Sequence, residues 1–278
     1  MSHFSFDAVV KIGSMALIRK QDNDLDYNII SRLARDLRPG YILVSSGAAE
    51  IGRIDYMKRN GSELKGDQEE IKTDYSSQGQ AILMGLYREF IEPKYSVRQV
   101  LVEHSHFNEA EKAEHLRRLF FHAANQNAIP IVNYNDPVSK EETRRFEIAS
   151  LRQSKEGGSV VECVDNDETA VVVSRLVGAE RLVILTSTQG IYRDPNDPST
   201  LIEEVRGSCA EEIDAKIDEM IAYCNGASRI GANGAKAKLL YAKRALEEGI
   251  EVIIASAAHR LSDIMEGKVR CTRLMVTH

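Results

Sequence analysis

Short apolar runs recur along the whole chain, at Ala8–Ile12, 41–44, 97–102, 129–132, 182–185, 252–255 and Thr272–Val276, with longer helix-patterned segments between them. That alternation predicts a mainly parallel sheet covered by helices, an α/β fold. Between the first two runs, Leu25, Ile29, Leu33 and Leu37 fall at steps of four, which is one face of a helix ended by Arg38-Pro39-Gly40. Further helices are predicted over 68–91, over 109–125 behind Asn108 as N-cap, and over 235–248, stopped by Gly249. The polar segment 140–158 breaks the rhythm and reads as an excursion, a short hairpin or flap.

A chain of 278 residues is long enough for one large core, and 43% apolar with 28% charged residues is ordinary for a soluble globular protein. The net charge of -6 and a pI near 5.7 argue against a nucleic-acid partner, which needs clustered Lys and Arg. No apolar run approaches the roughly 18 residues of a membrane span, and the N-terminus lacks the basic start and apolar core of a secretory signal. A cytoplasmic protein without membrane contact is expected. Cys163, Cys209, Cys224 and Cys271 form no C-x-x-C pair, so neither a zinc site nor a disulfide framework is indicated. His104 and His106 alternate on what reads as a strand end, but no third ligand has metal-site spacing, and no protein-held metal is expected.

The segments that carry chemistry lie where strands stop. The run ending in Asn133-Tyr134-Asn135-Asp136 and the cluster Asp165-Asn166-Asp167 that opens a helix both combine amides with carboxylates. Such a mixture suits a zwitterionic amino acid, although Asn and Asp also serve as plain turn formers. Val9-Val10-Lys11-Ile12-Gly13-Ser14 places a lysine and a glycine at a strand end, where ammonium and backbone can approach a phosphate. In Val44-Ser45-Ser46-Gly47-Ala48, small residues lead into a helix whose N-terminal N–H groups can receive an anion; a tight turn needs the same glycine. Thr186-Ser187 follows another buried strand, ahead of Gly190, Tyr192 and an Asp-Pro turn, and could cradle a nucleotide base. Gly231-Ala232-Asn233-Gly234-Ala235-Lys236-Ala237-Lys238 is a glycine-rich entry to a helix whose early lysines oppose the macrodipole and so point to a nearby anion. It lacks the Walker A spacing.

Taken in order, VVKIGS, VSSGAAEIGR, IPIVNYND, VDNDETA, VILTSTQGIYRDP and GANGAKAK resemble the amino acid kinase superfamily and, within it, the glutamate 5-kinases. The resemblance implies a three-layer αβα sandwich, one kinase domain over 1–278 with an acceptor-binding part (1–165) and a nucleotide-binding part (166–278). It implies ATP-dependent phosphorylation of the side-chain carboxylate of glutamate or a close analogue to an acyl phosphate, with ATP and Mg²⁺ as cofactors and a homo-oligomeric state. Lys11, Asp167 and Lys238 would be catalytic. Ser46, Gly47, Ala48, Asp136 and Asn166 would hold the amino acid. Lys11, Gly13, Thr186, Ser187, Tyr192, Ala232, Asn233, Gly234, Lys236 and Lys238 would face the nucleotide.

An ionised carboxylate needs no general base, so positioning and charge stabilisation would carry the reaction, and phosphates and water would hold Mg²⁺. The chain departs from the family pattern at Ser187, where Asp is usual, and at Asn233 and Ala235, where Gly and Met are usual. Its 140–158 segment is longer, and the sequence stops before the RNA-binding-like C-terminal PUA domain of many members, which is expected to be absent. Two other readings compete: a kinase of the superfamily for a phosphate or phosphonate acceptor, with Arg53 as the nearest extra cation, and a non-catalytic nucleotide-binding sensor or storage module.

Overall fold

The alternation is realised in the computed structural model, which describes residues 4–19, 21–154, 160–163, 165–194, 196–225 and 232–277. In chain order the elements are β1 (Ala8–Ile12), β2 (Ile18–Arg19), β3 (Asp24–Leu25), α1 (Tyr27–Asp36), β4 (Tyr41–Ser45), α2 (Ala48–Asn60), α3 (Gln68–Phe90) and β5 (Ser96–Val102). There follow α4 (Ser105–Asn108), α5 (Ala110–Asn125), β6 (Ala128–Tyr134), α6 (Glu141–Ser154), α7 (Asn166–Val177) and β7 (Arg181–Thr186). The last part holds β8 (Glu204–Gly207), α8 (Ala210–Asn225), α9 (Ala232–Leu246), β9 (Glu251–Ser256), α10 (Leu261–Met265) and β10 (Thr272–Val276). One sheet runs in the order β5-β6-β4-β1-β7-β9-β10-β8, parallel throughout except that β10 is antiparallel to β9. β2 and β3 form a separate small hairpin.

Helices cover both faces of the sheet, which makes the architecture a three-layer αβα sandwich. Strand periodicity decides which residue meets which layer. Val9, Val44, Val132, Leu182 and Ile184 pack with side chains of α5, α7, α8 and α9 in one core. Val10, Ile12, Leu43, Ile131 and Val183 pack with α1, α2, α3 and α10 in the other. Lys11 shares the parity of Val9, so its side chain belongs to the α7 face. Ser45 and Asn133 share the parity of Leu43 and Ile131, and both bond to α3: Ser45 Oγ to Tyr87 Oη at 2.8 Å, and Asn133 Nδ2 to Gln80 Oε1 at 2.9 Å.

The helix pair α2 and α3 is held closer than side chains allow. A Cβ on Gly52 would lie 1.9 Å from the Tyr75 carbonyl oxygen, and one on Gly79 would lie 1.8 Å from that of Ala48. Backbone therefore meets backbone at this crossing, and α2 starts at a fixed height beside the end of β4.

Several expectations need correction. The described part of the segment 140–158 is not a hairpin: its residues 141–154 form α6, while 155–158 lie outside the described residues. Glu69 Oε1 on α3 accepts from the Glu141 N–H at 2.7 Å and ties the start of α6 to α3, while Glu141 pairs with Arg144 and Arg145 within the first turns of α6 itself. His104 and His106 are not at a strand end but head α4. Asn108 does not cap α5; its amide donates to the carbonyls of His104 and Val161 and accepts from Val161 N–H, tying α4 to the stretch before α7.

Candidate active site

β6, β4, β1 and β7 are adjacent and parallel, so their carboxyl ends open on one side of the sheet, the edge where open α/β sheets bind ligands. Gly13, Ser46, Asp136 and Thr186 all stand at this edge. The fifth contributor is α7, whose N-cap Asp165 accepts from the N–H groups of Asp167 and Glu168 at 2.8 and 2.9 Å. That cap fixes the first turn and sets Asp167 against the end of β1.

Asp167 lies between two lysines. Its Oδ1 is 2.7 Å from Lys11 Nζ, and its Oδ2 accepts from Lys238 Nζ of α9 at 3.1 Å. Lys11 is 7% exposed and Asp167 5%, so the contact is shielded from water. Burial alone would raise the Asp167 carboxyl, but the two ammonium groups outweigh it and hold it below the usual carboxylate range. The three charges sum to one excess positive charge, set at the junction of strand ends and helix N-terminus. Gly13 interposes no side chain there; a Cβ on it would lie 3.5 Å from Lys11 Nζ.

Two cavities meet at this point. The smaller, about 370 Å³, is lined by Lys11, Gly13, Asp167, Thr186, Ser187, Gly234 and Lys238 among others. The larger, about 760 Å³, is lined by Tyr134, Asp136, Lys72, Glu141 and Arg144 among others. Ser46, Asp165 and Asn166 belong to both walls. Asn166 Nδ2 donates to Ser46 Oγ at 2.9 Å and to Asn133 Oδ1 at 3.0 Å, and Asn133 is held in turn by Gln80. A chain of amides thus runs from α3 through β6 to α7 and locks the partition between the cavities.

The residues expected from the sequence are mostly brought together. Lys11, Asp167, Lys238, Ser46, Asn166, Asp136, Gly13, Thr186, Ser187 and Gly234 line one or both cavities. Gly47 stands at the N-cap of α2 with φ of 109°, a left-handed conformation that favours glycine, and Ala48 is buried behind it; neither reaches a cavity wall. Tyr192 bridges to Leu201 through its backbone, and Lys236 sits on α9; both are off the walls. The side chains of Ala232 and Asn233 lie outside the described residues.

Sequence reasoning missed Gln80, Asn133 as the amide bridge, and the wall residues Lys72, Arg144 and Arg145. Arg53, the cation it favoured, is taken by Glu50 and Glu63. Arg144 reaches inward, donating to the Cys163 carbonyl at 2.9 Å just ahead of α7. His104 is buried, with Nε2 3.2 Å from Glu147 on α6. Burial pushes its imidazole below the usual range, although Glu147 and Glu103 oppose the shift. Among the described residues no cluster of three His, Cys, Asp or Glu side chains could hold a metal ion, and no helix is long and apolar enough to cross a membrane.

Comparison with known proteins bears on this geometry. Residues 8–256 match the Amino acid kinase family. The chain is 31% identical to the glutamate 5-kinase of Geobacillus thermodenitrificans over 94% of its own length and 65% of that protein's. It is 30% identical to the glutamate 5-kinase of Laribacter hongkongensis over 98% of its own length and 68% of that protein's. The chain therefore spans about two thirds of the length of these relatives. Among solved structures, the Giardia lamblia carbamate kinase bound to AMP-PNP superposes with a TM-score of 0.59 at 14% identity, covering 98% of this chain and 99% of that one. The Bacillus anthracis UMP kinase does so at 0.55 and 11%, covering 99% and 98%. Likeness at this level speaks for the fold alone.

Proposed function

The chain belongs to the amino acid kinase family, and from that premise we propose that it transfers the γ-phosphoryl group of ATP to the side-chain carboxylate of glutamate or a close analogue. The observation that carries the reading is the meeting of two cavities at Ser46, Asp165 and Asn166, with the Lys11–Asp167–Lys238 cluster at the meeting point. In this reading the smaller cavity takes the nucleotide's phosphates and the larger takes the acceptor. Residues 1–165 supply most of the acceptor side and 166–278 most of the nucleotide side, while Lys11 and Gly13 cross over.

Each residue then has a chemical task. Lys11 and Lys238 neutralise charge on the transferring group, and Asp167 keeps the two ammonium groups oriented. Ser46 and Asn166 align the attacking carboxylate, which is ionised at neutral pH and needs no base. Asp136 accepts the acceptor's ammonium. Magnesium would enter with ATP and shield its phosphates: Asp167 is committed to two lysines and Asp165 caps α7, so phosphate oxygens and water would form most of its shell.

The wall cations Lys72, Arg144 and Arg145 favour a second reading, a phosphate or phosphonate acceptor. Against it, Lys72 is paired with Asp136, and both arginines with Glu141. Hydroxylamine separates the two. ATP turnover on glutamate in its presence should yield the γ-hydroxamate, whereas a phosphorylated product that survives hydroxylamine would overturn the acyl-phosphate reading. Tight ATP binding without turnover on any acceptor would instead make the chain a binding module.

A further inference from the structure

One ion pair on the wall of the larger cavity stands apart from the Lys11–Asp167–Lys238 cluster, and its lysine has no role yet. Lys72, on the second turn of α3, places Nζ 2.8 Å from Asp136 Oδ1 beyond the end of β6. The Lys72 side chain is 64% exposed and that of Asp136 24%, so water screens the contact and it adds little to stability. The pair is cheap to open. It offers a cation and an anion side by side on a wall that also carries Ser46 and Asn166.

We propose that Lys72 and Asp136 together read the headgroup of an α-amino acid, Asp136 accepting from the α-ammonium and Lys72 donating to the α-carboxylate. The inference rests on the acyl-phosphate reading and adds Lys72 as a specificity-determining residue. In the structure, the Lys72 ammonium occupies the place on Asp136 that a substrate ammonium must take. A displaced lysine needs a new anion, and an α-amino acid brings one, a single carbon away from its ammonium. One screened pair opens and two charge-assisted contacts form, with no change in the net charge of the group. A ligand with an ammonium alone would strand Lys72. One with a carboxylate alone would compete with Asp136 for it, and a phosphate headgroup would meet Asp136 as a like charge. The neighbouring arginines do not substitute, because both are engaged by Glu141.

The test uses the full chain and three compounds: glutamate, glutarate, which lacks the α-ammonium, and 4-aminobutyrate, which lacks the α-carboxylate. KM is measured for glutamate, and the analogues are titrated as competitors of glutamate turnover. Lys72→Met should raise KM for glutamate about tenfold or more, the loss of one hydrogen bond to a charged group, with kcat changed far less. It should weaken glutarate in parallel and leave 4-aminobutyrate no weaker. Lys72→Arg should restore much of the glutamate KM. Unaltered melting of Lys72→Met would confirm that the exposed substitution leaves the fold intact. An unchanged glutamate KM, equal weakening of all three compounds, or a fall in kcat at constant KM would overturn the headgroup assignment while glutamate turnover still stood. Absence of hydroxamate from glutamate in the unmodified protein would bring down both readings.

Discussion

Replacing Asp167 by Asn tests the centre of the site, because it keeps the side chain's shape and removes the charge between two ammonium groups. Asp167 is 5% exposed, and its oxygens lie 2.7 and 3.1 Å from the two lysine nitrogens. Removing one partner of a buried charge pair costs about 3–5 kcal/mol, since the others are left unmatched. For a chain of this size that lowers the melting temperature by roughly 6–20 °C. The carboxyl's lowered pKa sets the pH window. Its stabilisation is fully present above the unfolded carboxylate value of about 3.9 and is lost as pH falls through the still lower folded value. The gap in melting temperature should therefore be widest near neutrality and close in acid.

The kinetic consequence is separate from the thermal one. With the carboxylate gone, Lys11 and Lys238 lose their common anchor, but no anion is left to compete with the phosphates for them, so ATP should bind about as well as before or more tightly. The oriented charge stabilisation in transfer is lost, and kcat should fall about 10²–10³-fold, as when one preorganised stabilising group is removed. Thermal melting across pH, with kcat and the KM for ATP at neutral pH, provides the assay. A melting temperature within a degree of the unmodified protein, or a kcat within threefold, would refute the reasoning.

Other parts of the structure make their own demands. Gly79→Ala should destabilise the fold by about 1–3 kcal/mol or more, because its Cβ would run into the Ala48 carbonyl, whereas Gly85→Ala on the same helix meets nothing within 4 Å and should stabilise by about 0.5–1 kcal/mol; chemical denaturation reads both. Asn133→Ala removes the amide between Gln80 and Asn166 and should cost about 1–3 kcal/mol while raising the acceptor KM more than it lowers kcat. Burial pushes the Cys163 thiol up to about 12, so at pH 8 an alkylating reagent should spare it while modifying the exposed Cys209, as peptide mass mapping would show.

The central parallel strands β1, β4, β6 and β7 were legible because each is a nearly continuous apolar run that only a doubly covered sheet can bury. β8 was not, since it is a short edge strand that alternates burial and has no apolar run to announce it. α6 escaped for a related reason: Phe146 points to solvent and little beyond Ile148 is buried, so there was no continuous apolar stripe to read as a helix. Lys11, Asp167 and Lys238 could be named from strand-end and helix-start chemistry together with the family resemblance. Lys72 could not, because nothing local in an exposed turn of α3 marks a lysine whose partner is 64 residues away. The same holds for Gln80, which reads as one more polar residue in a long helix until Asn133 is set against it.

Oxygen tracing tests the proposed reaction most directly. Glutamate carrying ¹⁸O in its γ-carboxylate is incubated with ATP, magnesium and hydroxylamine, and the released inorganic phosphate is analysed by mass spectrometry. Attack of the carboxylate on phosphorus, followed by attack of hydroxylamine on the carbonyl carbon, leaves one labelled oxygen in each phosphate formed alongside hydroxamate. Phosphate without label, or label retained in full by the amino acid while ATP is consumed, would contradict a carboxylate acceptor held beside Lys11, Asp167 and Lys238.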